Sequence, residues 1–304
     1  MNCIDQAEGE GWVLYHGDCI DVLRGLPDSS IDYSIFSPPF SSLYTYSNSP
    51  RDMGNCRSDA EFFEHFDYLI TELLRVMKPG RNVSFHCMLL PASKVRDGFI
   101  GLKDFRGDLI RAFRARGFVH HSEVVIWKDP VTAMQRTKAI GLLHKSVREN
   151  AALCRQGIPD YLVTVRSPGE QVDRVRHDPD DYPVSYWQKV ASPVWMDINP
   201  SETLQARSAR EHDDERHIAP LQLEVIRRGI HLWTNPGDVV LSPYAGIGSE
   251  GYVSLQLDRR FVGIELKDSY YRQARANLAS AIQTNGQLDL SDQTTTLGLP
   301  LGAA

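Results

Sequence analysis

Two kinds of apolar pattern alternate along this chain, and the alternation limits what it can fold into. Short runs of β-branched and aromatic residues, Trp12–Tyr15, Ile31–Phe36, Val83–Cys87 and Val124–Trp127, read as strands. Between them, residues 59–78 place Phe62, Phe63, Phe66, Leu69, Ile70, Leu73, Leu74 and Met77 at helical spacing, which predicts a helix ending at Lys78-Pro79-Gly80. Shorter helices are predicted after Asp18 (Cys19, Ile20, Val22, Leu23, Leu26) and from about Gly107 to Ala115. The pattern returns at His217 with a helix through Leu221, Leu223, Val225, Ile226 and Ile230, a strand Asp238–Leu241, a helix over 249–257, a strand Phe261–Ile264 and a helix over 268–283. Strands and helices in strict alternation predict an α/β fold: a mostly parallel sheet with helices on both faces, as in a Rossmann-like domain. No stretch repeats at a period of 20–50 residues, which excludes solenoids and propellers.

The pattern fades between about 130 and 215. Residues 131–156 hold five basic side chains (Arg136, Lys138, Lys145, Arg148, Arg155) against one acid, Glu149, and the stretch beyond interleaves prolines with Tyr161, Tyr182, Tyr186, Trp187 and Trp195. The expected organisation is therefore one α/β half over 1–130, an inserted segment over 131–215, a second half of the same domain over 216–284 and a frayed tail over 285–304. The formal charge of −6 offers no global positive field, so a polyanion partner must be held by a local patch such as this insert. No apolar run is long enough to cross a bilayer, and the N-terminal residues are acidic, which points to the cytoplasm and no membrane partner. The five cysteines show no ligand spacing, so free thiols and no metal site are expected.

Two strand ends carry candidate chemistry. The strand Asp238–Leu241 breaks into Ser242-Pro243-Tyr244-Ala245-Gly246-Ile247-Gly248-Ser249 and opens a helix, a turn in which glycine lets backbone approach a ligand. Glu265 follows Gly246 by 19 residues at the end of the next strand, where a ribose diol finds its acceptor. Glu250 would sit beside the phosphates of a dinucleotide, which disfavours NAD and is compatible with the cationic S-adenosylmethionine. The strand Ile31–Phe36 runs into Ser37-Pro38-Pro39-Phe40, a rigid loop whose prolines admit neither ladder bonds nor a helix. There the Ser37 side chain and the Pro38 carbonyl can accept from the two hydrogens of an exocyclic amine, and Phe40 can stack on the ring that bears it.

Together these motifs resemble the β group of amino-methylating DNA methyltransferases, in which the catalytic loop precedes the cofactor turn. The resemblance implies that Ser37, Pro38, Pro39 and Phe40 form the catalytic loop. It implies S-adenosylmethionine contacts from Asp18, Cys19, Ser37, His217, Ile218, Pro220, Ser242, Pro243, Tyr244, Ala245, Gly246, Gly248, Ser249, Glu265 and Leu266. It also implies double-stranded DNA as partner, held by Tyr44 and Tyr46 near the flipped base and by Arg136, Lys138, Lys145 and Arg148 in the 131–215 target-recognition segment, with a homodimer able to grip a palindrome. The implied reaction is direct transfer to adenine N6, with cytosine N4 as the alternative that Ser37 suggests. Two departures from the family pattern are Ser242, where an Asp is usual, and Ser37 itself. A cofactor-binding regulator without catalysis is the reading from another class.

Overall fold

The structure is a computed structural model and describes residues 2–40, 52–137, 142–204 and 220–295. Among these, nine strands form one sheet: β1 (Asp5–Gly9), β2 (Trp12–His16), β3 (Ile31–Phe36), β4 (Met77–Met88), β7 (Val119–Ile126), β8 (Asp160–Arg166), β9 (Val194–Trp195), β10 (Val239–Ser242) and β11 (Arg260–Glu265). Their spatial order is β1-β2-β11-β10-β3-β4-β8-β7-β9. The two remaining strands, β5 (Leu90–Ala92) and β6 (Gly101–Lys103), form a separate hairpin. The five strands from β2 to β4 are parallel, β1 pairs antiparallel with β2, β8 pairs antiparallel with both β4 and β7, and the edge strand β9 pairs parallel with β7.

The helices are α1 (Cys19–Leu23), α2 (Asp59–Val76), α3 (Lys94–Asp97), α4 (Phe105–Ala115), α5 (Pro130–Thr137), α6 (His144–Asn150), α7 (Val184–Val190), α8 (Leu223–Trp233), α9 (Ser249–Gln256) and α10 (Asp268–Thr295). Val22 of α1, Leu69 of α2 and Phe113 of α4 pack with one face of the sheet, and Ile226 of α8, Val253 of α9 and Leu278 of α10 pack with the other. A strand covered on both sides cannot alternate polar and apolar residues freely, which is why all six residues of β3 are buried. The amphipathic period of α2 closes on Phe62, Phe66, Leu69, Ile70 and Leu73, and Ser58 caps its first turn by accepting from the Glu61 amide.

The direction of winding across the sheet reverses between the parallel neighbours β3 and β10. From β3 the chain passes through α2 to β4 on one side, and from β10 it passes through α9 to β11 on the other. Open α/β sheets have their crevice at such a switch point, outside the carboxyl ends of the strands. The two singled-out loops leave those two adjacent strands.

Several boundaries differ from the sequence expectation, among them an earlier start of β7, at Val119 instead of Val124. The turn expected at Lys78-Pro79-Gly80 is absorbed into β4, which starts at Met77 and shifts register against β3 between Ile31 and Tyr33 to accommodate it. The segment 131–215 is not an insert from end to end, because Asp160–Arg166 enters the sheet as β8 between β4 and β7. The helix expected from His217 begins at Leu223; Gln222 is its extended N-cap, and residues 205–219 lie outside the described residues. The last helix continues to Thr295 instead of ending near 283.

Candidate active site

A cavity of about 730 Å³ lies at the carboxyl ends of the central strands. Its wall joins Ser37-Pro38-Pro39-Phe40, which leave β3, to Pro243-Tyr244-Ala245-Gly246-Ile247, which leave β10, because those strands are hydrogen-bonded neighbours. Some 200 residues of sequence separate the loops, and the sheet removes that distance.

At one end the wall is acidic. Glu265 accepts the Gly246 amide at 2.8 Å and the Lys267 amide at 2.8 Å, and burial pushes its carboxyl up to about 7. Burial, with Glu265 nearby, pushes the Glu250 carboxyl up to about 8. Two buried acids of this kind make the cavity costly for a phosphate and favourable for a cation. Gly246 has φ +53°, and a Cβ built on it would meet nothing within 4 Å. The turn therefore has open space in front of its backbone. Asp18, which lines the same end, caps α1 by accepting the Ile20 and Asp21 amides at 3.0 and 3.1 Å, both through Oδ1.

At the other end a polar chain crosses three strands. Ser37 Oγ lies 3.1 Å from His86 Nδ1 on β4, and His86 Nε2 lies 3.1 Å from Asp160 Oδ2, the first residue of β8. The second contact is short in distance but off the line of an aligned hydrogen bond, as catalytic contacts often are before substrate binds. Lys128 Nζ, just after β7, is 2.5 Å from the other oxygen of Asp160. Burial works to raise the Asp160 carboxyl, but His86 and Lys128 outweigh it and hold it below the ordinary carboxylate range. Phe40 meets His86 and Phe105 edge-on at 6.4 and 6.2 Å between ring centroids.

With this geometry in place, comparison with known proteins decides the family. The profile of the DNA methylase family of N6 and N4 amino-methyltransferases matches residues 31–276. The chain belongs to the N6/N4 DNA methylase family. It is 24% identical over 263 residues to the type II methyltransferase M.BglII of Bacillus subtilis, covering 84% of this chain and 66% of that protein. It is 24% identical over 259 residues to the type II methyltransferase M.BamHI of Bacillus amyloliquefaciens, covering 83% and 54% respectively. The chain thus spans about half to two-thirds of the length of these relatives. Among solved structures it is similar in fold to TTHA0409 of Thermus thermophilus in complex with S-adenosyl-L-methionine, with TM-score 0.64, 20% identity and coverage of 88% and 95%. It is also similar to the PvuII DNA methyltransferase (cytosine-N4-specific), with TM-score 0.64, 16% identity and coverage of 93% and 95%.

The acidic end fits the cofactor of this methylase family. Glu265 is a buried hydrogen-bond acceptor on the cavity wall, Gly246 leaves backbone clearance, and Glu250 is a second buried acid beside it. Asp18, Cys19, Ser37, Pro220, Pro243, Tyr244, Ala245, Gly246, Ser249, Glu265 and Leu266 all line the cavity. Ser242 and Gly248 are not among its lining residues. Ser242 is fully buried, with no partner for its Oγ among the described residues. Gly248 has φ +85° and no room for a Cβ, which would meet Ala274 of α10 at 3.2 Å, so that glycine serves helix packing. His217, Ile218, Tyr44, Tyr46 and Lys138 lie outside the described residues, as does the side chain of Arg136. Lys145 and Arg148 lie on α6, and neither lines the cavity.

Sequence reasoning missed His86, Lys128, Arg155 and Asp160, all of which line the cavity. The available signal was weak but present: His86 interrupts the apolar run Val83–Cys87, and Asp160–Arg166 has the β-branched content of a strand.

Proposed function

We propose that this chain transfers a methyl group from S-adenosylmethionine to the exocyclic amino group of a base extruded from double-stranded DNA. The observation that carries this reading is the meeting, in one cavity, of the Ser37–Phe40 loop and the glycine turn with its acidic partners. S-Adenosylmethionine, when bound, supplies an electrophilic methyl group. Glu265 holds the ribose, and Glu250 balances the positive charge of the donor.

Ser37 and the Pro38 carbonyl accept from the two amine hydrogens of the base. An exocyclic amine is a poor nucleophile because its lone pair is delocalised into the ring, and two acceptors set off the ring plane draw the nitrogen toward tetrahedral geometry. The proline rings fix φ on both sides of the loop, so the acceptors are in place before the base arrives. A base still paired in the duplex cannot reach this loop, and extruding it costs a few kcal/mol, offset by stacking in the pocket. Phe40 is the stacking surface on the loop itself.

For the base, the serine at position 37 favours cytosine N4 over adenine N6, the base placed first by the β-group resemblance. Residues 131–215 outside β8 are the reading's DNA-recognition region, with Lys145 and Arg148 of α6 as phosphate contacts.

The test is incubation with tritiated S-adenosylmethionine and, in parallel, unmethylated duplex DNA, RNA or a mixed protein substrate, followed by digestion of the product to nucleosides. Label in N4-methyldeoxycytidine is the expected result. Label in N6-methyldeoxyadenosine would reassign the base, and label in RNA or protein alone would overturn the function.

A further inference from the structure

A serine is an ambiguous acceptor. Its hydroxyl carries one hydrogen and two lone pairs, and unless that hydrogen is committed elsewhere it competes with the amine that must donate to it. In this structure an acceptor for that hydrogen stands within reach. Ser37 Oγ lies 3.1 Å from His86 Nδ1, His86 Nε2 lies 3.1 Å from Asp160 Oδ2, and Lys128 holds the second Asp160 oxygen at 2.5 Å. His86 and Asp160 are only 9% and 3% exposed. The four residues come from the loop after β3, from β4, from β8 and from the segment after β7, and all four line the cavity.

An ionised carboxylate only accepts, so Asp160 selects the imidazole tautomer with hydrogen on Nε2. Nδ1 is then an acceptor, the Ser37 hydroxyl donates to it, and both serine lone pairs face the cavity. We propose that His86, oriented by Asp160 and Lys128, sets Ser37 as an acceptor for the base amine and takes up the proton that the amine loses on methylation. The proposal rests on the function put forward above and adds positioning residues to it.

The step balances as follows. The amine lone pair forms the new C–N bond, and the electron pair of the broken C–S bond stays on sulfur. The methylated nitrogen, now carrying one hydrogen too many, gives it to Ser37 Oγ while the serine's own hydrogen moves to His86 Nδ1. The imidazolium so formed lies against Asp160, which is already ionised. Release of this proton to water returns the chain to its starting state. The charged groups set against His86 are Asp160 and Lys128, with Asp129 and Arg155 on the wall of the same cavity. His86 touches the base only through Ser37 and is therefore a positioning residue and proton store.

The experiment has two arms on the full chain. In the first, single-turnover transfer from tritiated S-adenosylmethionine to unmethylated phage DNA is followed across pH with enzyme in excess. With S-adenosylmethionine held saturating at every pH, so that protonation of Glu250 and Glu265 does not limit its binding, the wild-type rate should fall on the acid side as the proton acceptor behind Ser37 is protonated. His86→Gln keeps an acceptor for the Ser37 hydroxyl but cannot take its proton, so it should lose that acid limb and slow transfer by about 10²–10³-fold. Asp160→Asn should slow transfer and move the limb, while binding of cofactor and DNA by both variants stays within about twofold of wild type.

The second arm reads the histidine directly, without DNA, by nitrogen NMR of protein labelled at histidine, with His86→Gln giving the assignment. The Nε2–H tautomer is expected, with an Nδ1 resonance that moves in Ser37→Ala. A His86→Gln variant that keeps the acid limb and near wild-type rate would overturn the proposal, as would an Nδ1–H tautomer or an Nδ1 signal indifferent to Ser37→Ala. Absence of transfer by wild type to any DNA, with the Nε2–H tautomer and the Ser37 response intact, would overturn the function and leave the hydrogen-bond chain standing.

Discussion

The two ends of the paired strands β3 and β10 carry charge in opposite ways. At the amino ends, Asp32 accepts Lys78 Nζ at 2.7 Å and the Val239 amide at 2.9 Å. Arg81 donates to the Asp32 carbonyl at 2.8 Å and pairs with Asp238. This network ties β3, β4 and β10 together, and its buried charges have direct partners within the protein. At the carboxyl ends, Glu250 and Glu265 line a cavity as buried acids with no cationic side chain bonded to them among the described residues, and Ser37, His86 and Asp160 form a chain open to the same space. Paired charge holds strands in register, whereas charge left facing a cavity is available to a ligand. The same strands therefore provide both a clamp and a site, and perturbations at the two ends should separate stability from activity.

The largest effect is expected at the carboxyl end. Ser37→Ala with Phe40→Ala should reduce methyl transfer by at least about 10²–10³-fold, the scale for removing groups that act on the reacting atoms. Cofactor binding measured by calorimetry should persist, and retained turnover would remove the loop from catalysis. At the amino end, Arg81→Ala removes the buried guanidinium that joins the Asp32 carbonyl to Asp238 and should cost about 3–5 kcal/mol in urea unfolding. Transfer per folded molecule should remain near wild type, and a variant that unfolds normally but fails to transfer would abolish the distinction between the ends.

Neutralising Arg136, Lys138 and Arg148 together should weaken DNA binding. It should also lower the slope of log K against log salt by up to about 0.9 for each phosphate contact removed. Binding unchanged across a salt titration would exclude these residues from the interface.

The smallest effect is in pH dependence. Glu250 and Glu265 rise from 4.5 to about 8 and about 7, so the folded chain retains protons that the unfolded chain has released. Their contribution to stability is present below the unfolded value and is lost as pH rises through about 7–8. Without cofactor, the melting temperature should fall between the unfolded value of 4.5 and about pH 8. Glu250→Gln should flatten the fall by about 2–4 °C, and an unchanged profile would mean that Glu250 is not the buried acid described. The cationic cofactor needs the ionised acids, so the stabilisation it confers should grow with pH over the same window.

Much of this arrangement is legible in local pattern. The apolar runs of β3 and β10, the helical period of α2 and the turn residues at Gly246 follow from steric and solvation rules that act over a few residues. For that reason the strand-to-loop junctions at Ser37 and Ser242 stand where the sequence places them. What pattern misassigned lies where long-range pairing overrides it. β8 is hidden among prolines and charges because its neighbours in sequence are not its neighbours in the sheet. Gly248 reads as a ligand glycine until Ala274 of α10 is found against it.

By itself, the sequence determined an α/β chain with two reactive loops, their order, and an acid placed for a ribose. Tertiary structure alone decided that the loops share one cavity, that His86 and Asp160 stand behind Ser37, and that Ser242 is fully buried. The physical reason is that backbone preference and apolar periodicity are local, while the distance between side chains on β3, β4 and β8 is set by sheet order and register. Those depend on every strand and covering helix at once.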